Sequence, residues 1–205
     1  MDLFTSLAKK TVEAYVKTGK VIKPPIPLPQ EFQKRAGVFV SIHKITPKIQ
    51  PISSLIKERF NGVLHPQELH DGFQPPTYKE ELRGCIGTYL PSRKNLAEEI
   101  IHNAIDAATR DPRFFPVSQG ELPQLRYSVD ILSPIEIVTN KKDLDVRKYG
   151  LIVASNDGRK GLLLPDLEGV ETVEQQIEIC HQKAGISPKE KITLQRFTVE
   201  RHEEK

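Results

Sequence analysis

Leu82-Arg83-Gly84-Cys85-Ile86-Gly87-Thr88-Tyr89-Leu90 runs straight into Pro91. The run reads as a strand from 82 to 90 that ends at the proline, which cannot donate to a ladder. Two glycines three residues apart are unusual inside a strand, because glycine weakens it. Such glycines mark a bulge, or a place where a second backbone or a ligand comes close. Between them lies Cys85, with Arg83 two residues earlier. A guanidinium beside a thiol lowers its pKa and makes it a better nucleophile. In a regular strand residues two apart share a face, and a bulge would separate them. The competing reading makes Cys85 a small buried hydrophobe and gives both glycines a packing role.

On the N-terminal side, residues 44–79 hold Pro47, Pro51, Pro66, Pro75 and Pro76 with Asn61-Gly62 and Asp71-Gly72. They read as a proline-rich surface insertion between two strands, with a short helix over Ile52 to Phe60. Residues 36–43 alternate as the preceding strand, with Val38, Val40 and Ile42 on one face and Phe39, Ser41 and His43 on the other. Before it, Lys23-Pro-Pro-Ile-Pro-Leu-Pro29 is an extended connector. Residues 3–18 repeat Leu3, Leu7, Ala8, Thr11, Val12, Tyr15 and Val16 at helical spacing, with Asp2 as cap and Gly19 as stop.

On the C-terminal side, Asn95 and Glu98 suit a capping box for a helix over 95–110, which Pro112 stops. Residues 125–138 alternate as strand, with Leu125, Tyr127, Val129 and Ile131 on one face and a bend at Pro134. Asn156-Asp157-Gly158 predicts a hairpin between two apolar runs. A helix over 172–184 places Val173, Ile177, Cys180 and Ala184 on one face, and a last strand spans 191–199. The order is not a regular βαβ alternation. It predicts an α+β fold, a mostly antiparallel sheet with helices packed on it, in one domain over 1–205.

Charged residues make up 28% and hydrophobic residues 38%, the mixture of an ordinary globular chain. The net charge of +3 permits contact with nucleic acid, but the Lys and Arg residues are scattered among acids rather than clustered. No apolar run approaches the ~18 residues of a membrane span. With no signal peptide and two cysteines, Cys85 and Cys180, the expected setting is the cytoplasm with both thiols reduced.

Asp111-Pro-Arg-Phe-Phe-Pro116 is a second candidate. Arg113 could clamp an anion. Alternatively the segment is a structural corner in which Asp111 pairs with Arg113 and Phe114 or Phe115 plugs the core. No metal is expected. His65-Pro-Gln-Glu-Leu-His70 has the wrong spacing for a zinc protease, and Pro66 opposes a helix there. Neither a Walker loop nor a dinucleotide fingerprint is present, so no cofactor is expected.

Leu82-Arg-Gly-Cys-Ile-Gly-Thr88 resembles the hallmark of the AMMECR-type domain family. Gly37-Val-Phe-Val40, Ala107-Ala-Thr-Arg-Asp-Pro-Arg-Phe-Phe-Pro116, Ser128-Val-Asp-Ile-Leu-Ser133, Arg159-Lys-Gly-Leu-Leu-Leu-Pro165 and the stretch from Cys180 through Lys183-Ala-Gly185 are similar to its other segments. The insertion at 44–79 is longer than short microbial members imply. The resemblance implies two lobes, a larger α+β lobe and a smaller one, with the Cys85 segment near the groove between them. Arg83, Gly84, Ile86, Gly87 and Thr88, with Asp111, Arg113 and Phe114 of the corner, are then the candidate binding residues. It also implies a Memo-like protein and a radical-SAM protein as partners, with RNA among the proposed contacts. It supplies no activity.

Two functions follow. In the first, Cys85 is a nucleophile or group acceptor, Arg83 and Arg113 hold an anionic group, and Gly84 and Gly87 let substrate reach the backbone. In the second, the chain is a non-catalytic module whose groove receives a partner. The second is preferred, because no acid, base and nucleophile stand at readable spacing.

Overall fold

The computed structural model describes residues 2–47 and 77–204. Helix α1 spans Leu3–Thr18; Asp2 accepts from the N–H groups of Phe4 and Thr5, and Gly19 ends the helix at φ 70°. Leu7, Ala8, Thr11 and Val12 are buried as expected, but Leu3 is exposed and Phe4 takes its place. Strand β1 is Val38–Pro47 and β2 is Tyr78–Thr88. The insertion is therefore shorter than 44–79 at both ends. Lys44 to Pro47 pair with Glu81 to Tyr78 in the same ladder. Charged side chains hid that continuation, because an edge ladder carried by backbone bonds needs no apolar alternation. The helix expected over 52–60 and the His65/His70 pair lie outside the described residues.

Helix α2, Leu96–Thr109, starts at Asn95, whose side chain accepts from the Glu98 N–H. The box is half made: the Glu98 carboxylate accepts from Lys94 instead. Strand β3 is Leu125–Leu132 and β4 is Glu136–Val138. Strands β5, Gly150–Ser155, and β6, Lys160–Leu163, form the predicted hairpin, with Gly158 at φ 92°. Helix α3 is Val173–Ala184, followed by β7, Ile192–Phe197, and β8, Val199–Glu203.

The fold is α+β and antiparallel, divided between two four-stranded sheets ordered β2-β1-β3-β8 and β4-β7-β5-β6. Each long strand read from the sequence over 125–138 and 191–199 is in fact two strands. The chain leaves the first sheet at Ser133-Pro134 and returns at Thr198. Ser133 N donates to Thr198 O at 3.0 Å, and Thr198 N donates to Ser133 Oγ at 2.9 Å, so the two crossings hold each other.

Helices α1 and α2 cover one face of the first sheet, burying Val38, Val40, Ile42, Tyr127, Val129 and Ile131. Helix α3 covers β5 and β6 over Leu151, Val153 and Leu163. A third apolar group, Leu132, Ile152 and Phe197, joins the sheets. Each lobe admits its helix at a glycine. A Cβ on Gly84 would strike the Ala107 carbonyl of α2, and one on Gly161 would strike the Cys180 carbonyl of α3. Among the described residues no helix is long and apolar enough to cross a membrane.

Candidate functional site

Strand β2 is bulged. Ile42 pairs with Gly84 and His43 with Leu82, so Arg83 is the extra residue. The bulge shifts the phase of the strand. Gly84 faces α2, while Leu82 and Cys85 both line a cleft of about 710 Å³ on the opposite face of the sheet. Arg83 takes neither side: its guanidinium donates to both Glu121 oxygens at 2.8 and 3.1 Å and to the Phe115 carbonyl at 2.9 Å. Arg83 thus fastens the loop after α2 to the strand, and the sequence expectation of Arg83 as a thiol activator is overturned by the bulge.

Cys85 lies on the cleft floor. The Ser41 hydroxyl, opposite it in β1, donates to Sγ at 3.1 Å. β2 is an edge strand, so the outward backbone groups of Cys85 need other partners. Its N–H donates to Asp111 Oδ2 at 2.8 Å, and its carbonyl accepts from Arg113 Nη2 at 3.4 Å. Asp111 and Arg113 are themselves joined by three bonds: the guanidinium donates to Asp111 at 2.9 and 2.7 Å, and the Arg113 N–H donates at 3.1 Å. Together they cap the edge much as a neighbouring strand would. The corner reading of this segment holds in that pairing. Its plug does not: Phe114 is half-buried under the Arg83 and Arg113 guanidinium groups, Phe115 is 89% exposed, and Val117 enters the core.

Burial pushes the Cys85 thiol above its ordinary value. The Ser41 bond and the Arg113 charge pull the other way without prevailing, and Asp130 and Asp111 add to the rise. Hydrogen bonding from Arg113 holds Asp111 down at about 2, and Arg83 does the same for Glu121, also at about 2.

Gly87 and Thr88 play structural parts. A Cβ on Gly87 would meet the Phe39 ring and the Val38 carbonyl. Thr88 donates at 2.6 Å to buried Glu99, which also accepts from the Ser92 hydroxyl and the N–H groups of Ser92 and Arg93. Burial raises the Glu99 pKa, and these four bonds outweigh it and leave the group below its ordinary value. Both motif glycines therefore serve protein packing, and the expectation that Gly84 opens the backbone to substrate is corrected: α2 occupies that side. Ile86 lines the cleft while packing against the main core.

Several cleft residues escaped the sequence reading. Asp130 of β3 is 4% exposed and binds Arg201 of β8 through two bonds at 2.8 and 3.3 Å. Ser41 stands between Cys85 and Ser128, and Phe39 faces Asp130 in the next row. The opposite wall comes from the second lobe: Leu162, Leu164, Leu167 and Lys183, whose ammonium donates to the Leu162 carbonyl at 2.8 Å. An aspartate alternating with apolar residues inside 125–132 was the readable signal. Leu162 and Leu164 stood in an apolar run without being read as a wall, and nothing local marked Leu167 or Arg201. Among the described residues no three His, Cys, Asp or Glu side chains gather to hold a metal.

The fold and site define a two-lobed α+β protein with a thiol-floored cleft between its sheets. The AMMECR1 family profile matches residues 5–202, and the chain belongs to that family. A protein of Thermotoga maritima is 45% identical over 201 residues, covering 97% of this chain and 96% of its own. Protein CA_C1420 of Clostridium acetobutylicum is 38% identical over 205 residues, but the match spans 99% of this chain and only 36% of that one. The crystal structure of the uncharacterised protein PH0010 from Pyrococcus horikoshii superposes with a TM-score of 0.76 at 30% identity, covering 98% of this chain and 90% of the other.

Proposed function

We propose that the chain is a binding component whose cleft holds a partner segment with an apolar body and a carboxylate, without forming a covalent bond. The observation that carries this reading is the Cys85 environment: a thiol pushed toward its neutral form and, among the described residues, bonded only by the Ser41 hydroxyl, with no histidine on Sγ. A nucleophilic cysteine needs the opposite surroundings. Leu162, Leu164 and Leu167 offer the apolar wall. Arg113, Arg201 and Lys183 offer donors beyond those used on Asp111, Asp130 and Leu162.

The partner system implied by the sequence resemblance, a Memo-like and a radical-SAM protein, would supply the segment. The Clostridium chain supports a role as one part of a larger assembly, since the match occupies about a third of it. The Lys and Arg residues are scattered among acids rather than clustered, which weighs against a groove that tracks RNA phosphates.

The test titrates tetrapeptides with an apolar C-terminal residue, as free acids and as amides, into methyl-labelled protein. Free acids should bind more tightly, with shifts at Leu162, Leu164 and Leu167. Cys85→Ser should keep both this binding and function in a complementation assay. Loss of function with binding intact would restore the enzyme reading.

A further inference from the structure

The two sheets are covered unequally. On the first, α2 lies over β1 and β2 while α1 lies over β3 and reaches β8. On the second, α3 packs chiefly on β6 and β5. Strands are ~4.8 Å apart and a helix with its side chains is ~10 Å across, so one helix covers about two strands. Among the described residues, the β7–β4 half of the second sheet is thus left without a helix. The short turn Lys141–Asp143 and Leu144 close one end of that strip. The remainder is a trough of about 1000 Å³ between α3, β7 and β4. It lies on the face of the sheet opposite the Cys85 cleft, since Leu194 and Leu151 point to α3 while Phe197 and Ile152 point to the other lobe.

Its floor is apolar, with Ile177, Ile186 and Leu194 flanked by the more open Val138 and Ile192. Its rim is acidic. Glu174 and Glu178 stand exposed one turn apart on α3, and among the described residues neither has a cationic partner. Glu190 is already paired with Arg159, and Lys141 is the one Lys or Arg among the lining residues described. His181, 7% exposed, also lines the trough. Its Nδ1 lies 3.1 Å from the Ile186 carbonyl, so in the neutral ring Nδ1 carries the proton. Nε2 is then an acceptor with no hydrogen-bond partner among the described residues.

We propose that this trough seats a short amphipathic helix of a partner protein, with an apolar stripe on Ile177 and Leu194 and a lysine or arginine flank beside Glu174 and Glu178. One turn of helix with its side chains fills roughly 400 Å³, so the space takes about two turns. The acidic rim selects the basic flank, and the Nε2 acceptor of His181 suits an N–H donor from it.

Two synthetic helical peptides test this, both with the same leucine stripe, one flanked by lysines and one by glutamates. Each is titrated into the full methyl-labelled chain at low salt. The lysine peptide should bind about tenfold more tightly, with shifts confined to Val138, Ile177, Ile186, Ile192 and Leu194. The double variant Glu174→Lys/Glu178→Lys, which alters exposed positions only, should reverse the preference. The proposal is overturned if neither peptide binds, if both bind equally, or if the shifts fall on the leucines of the cleft. Sedimentation showing that a second copy of the chain fills the trough without peptide would also overturn it.

Discussion

Cys85 and Cys180 are both free thiols, and both are held above their ordinary pKa chiefly by burial, Cys180 to about 11. They differ in access. Cys85 is partly buried on a cleft floor, whereas Cys180 is fully buried under Leu151, whose carbonyl it approaches at 3.7 Å. A pulse of iodoacetamide read by peptide mass spectrometry should label Cys85 slowly at neutral pH and faster only above pH ~9, with Cys180 unlabelled until the protein unfolds. Rapid labelling of Cys85 at pH 7 would contradict the neutral-thiol site. The two glycines beside Cys85 could be read only incompletely. Gly84 and Gly87 announced a close approach, but what approaches Gly84 is an α2 carbonyl some twenty residues along the chain. Local spacing carries no information about that neighbour.

At the scale of elements, helices and strand faces were legible because burial on one side imposes a period. α1 begins and ends where the Asp2 and Gly19 signals put it, and α3, Val173–Ala184, fills the span expected over 172–184. Strand ends were not legible where charge replaced alternation, as in Lys44 to Pro47 against Tyr78 to Glu81. The bulge at Arg83 was the decisive local event, and only its possibility could be read. The Gly84 contact makes a sharp prediction. Gly84→Ala should push α2 off β2 and destabilise the protein by about 3 kcal/mol in urea unfolding. Gly120→Ala, with nothing within 4 Å of the added carbon, should change stability by less than about 0.5 kcal/mol. Equal effects would mean that α2 adjusts freely.

For the whole molecule, the loop after α2 couples stability to pH through Asp111 and Glu121. Both carboxyls sit at about 2 in the fold, below the ordinary value near ~4. A depressed carboxyl stabilises the fold fully above its unfolded value, and that contribution fades as pH falls toward the folded value. Thermal stability should therefore decline between about pH 5 and pH 2, and Asp111→Asn should flatten the decline. A variant as acid-sensitive as the parent would show that the clasp is not its source. The division into two sheets was the largest feature that residue patterns did not give; it depends on where the chain crosses at Pro134 and Thr198, and either crossing looks locally like a pause in one strand. That crossing pattern has a further consequence. Residues 136–197, the second sheet and α3, are inserted between β3 and β8, which are neighbours in the first sheet. During synthesis on the ribosome, the inserted lobe emerges before the strand that completes its host. The last ladder of the first sheet, and with it the Asp130–Arg201 pair, can form only after the whole insertion has left the exit tunnel.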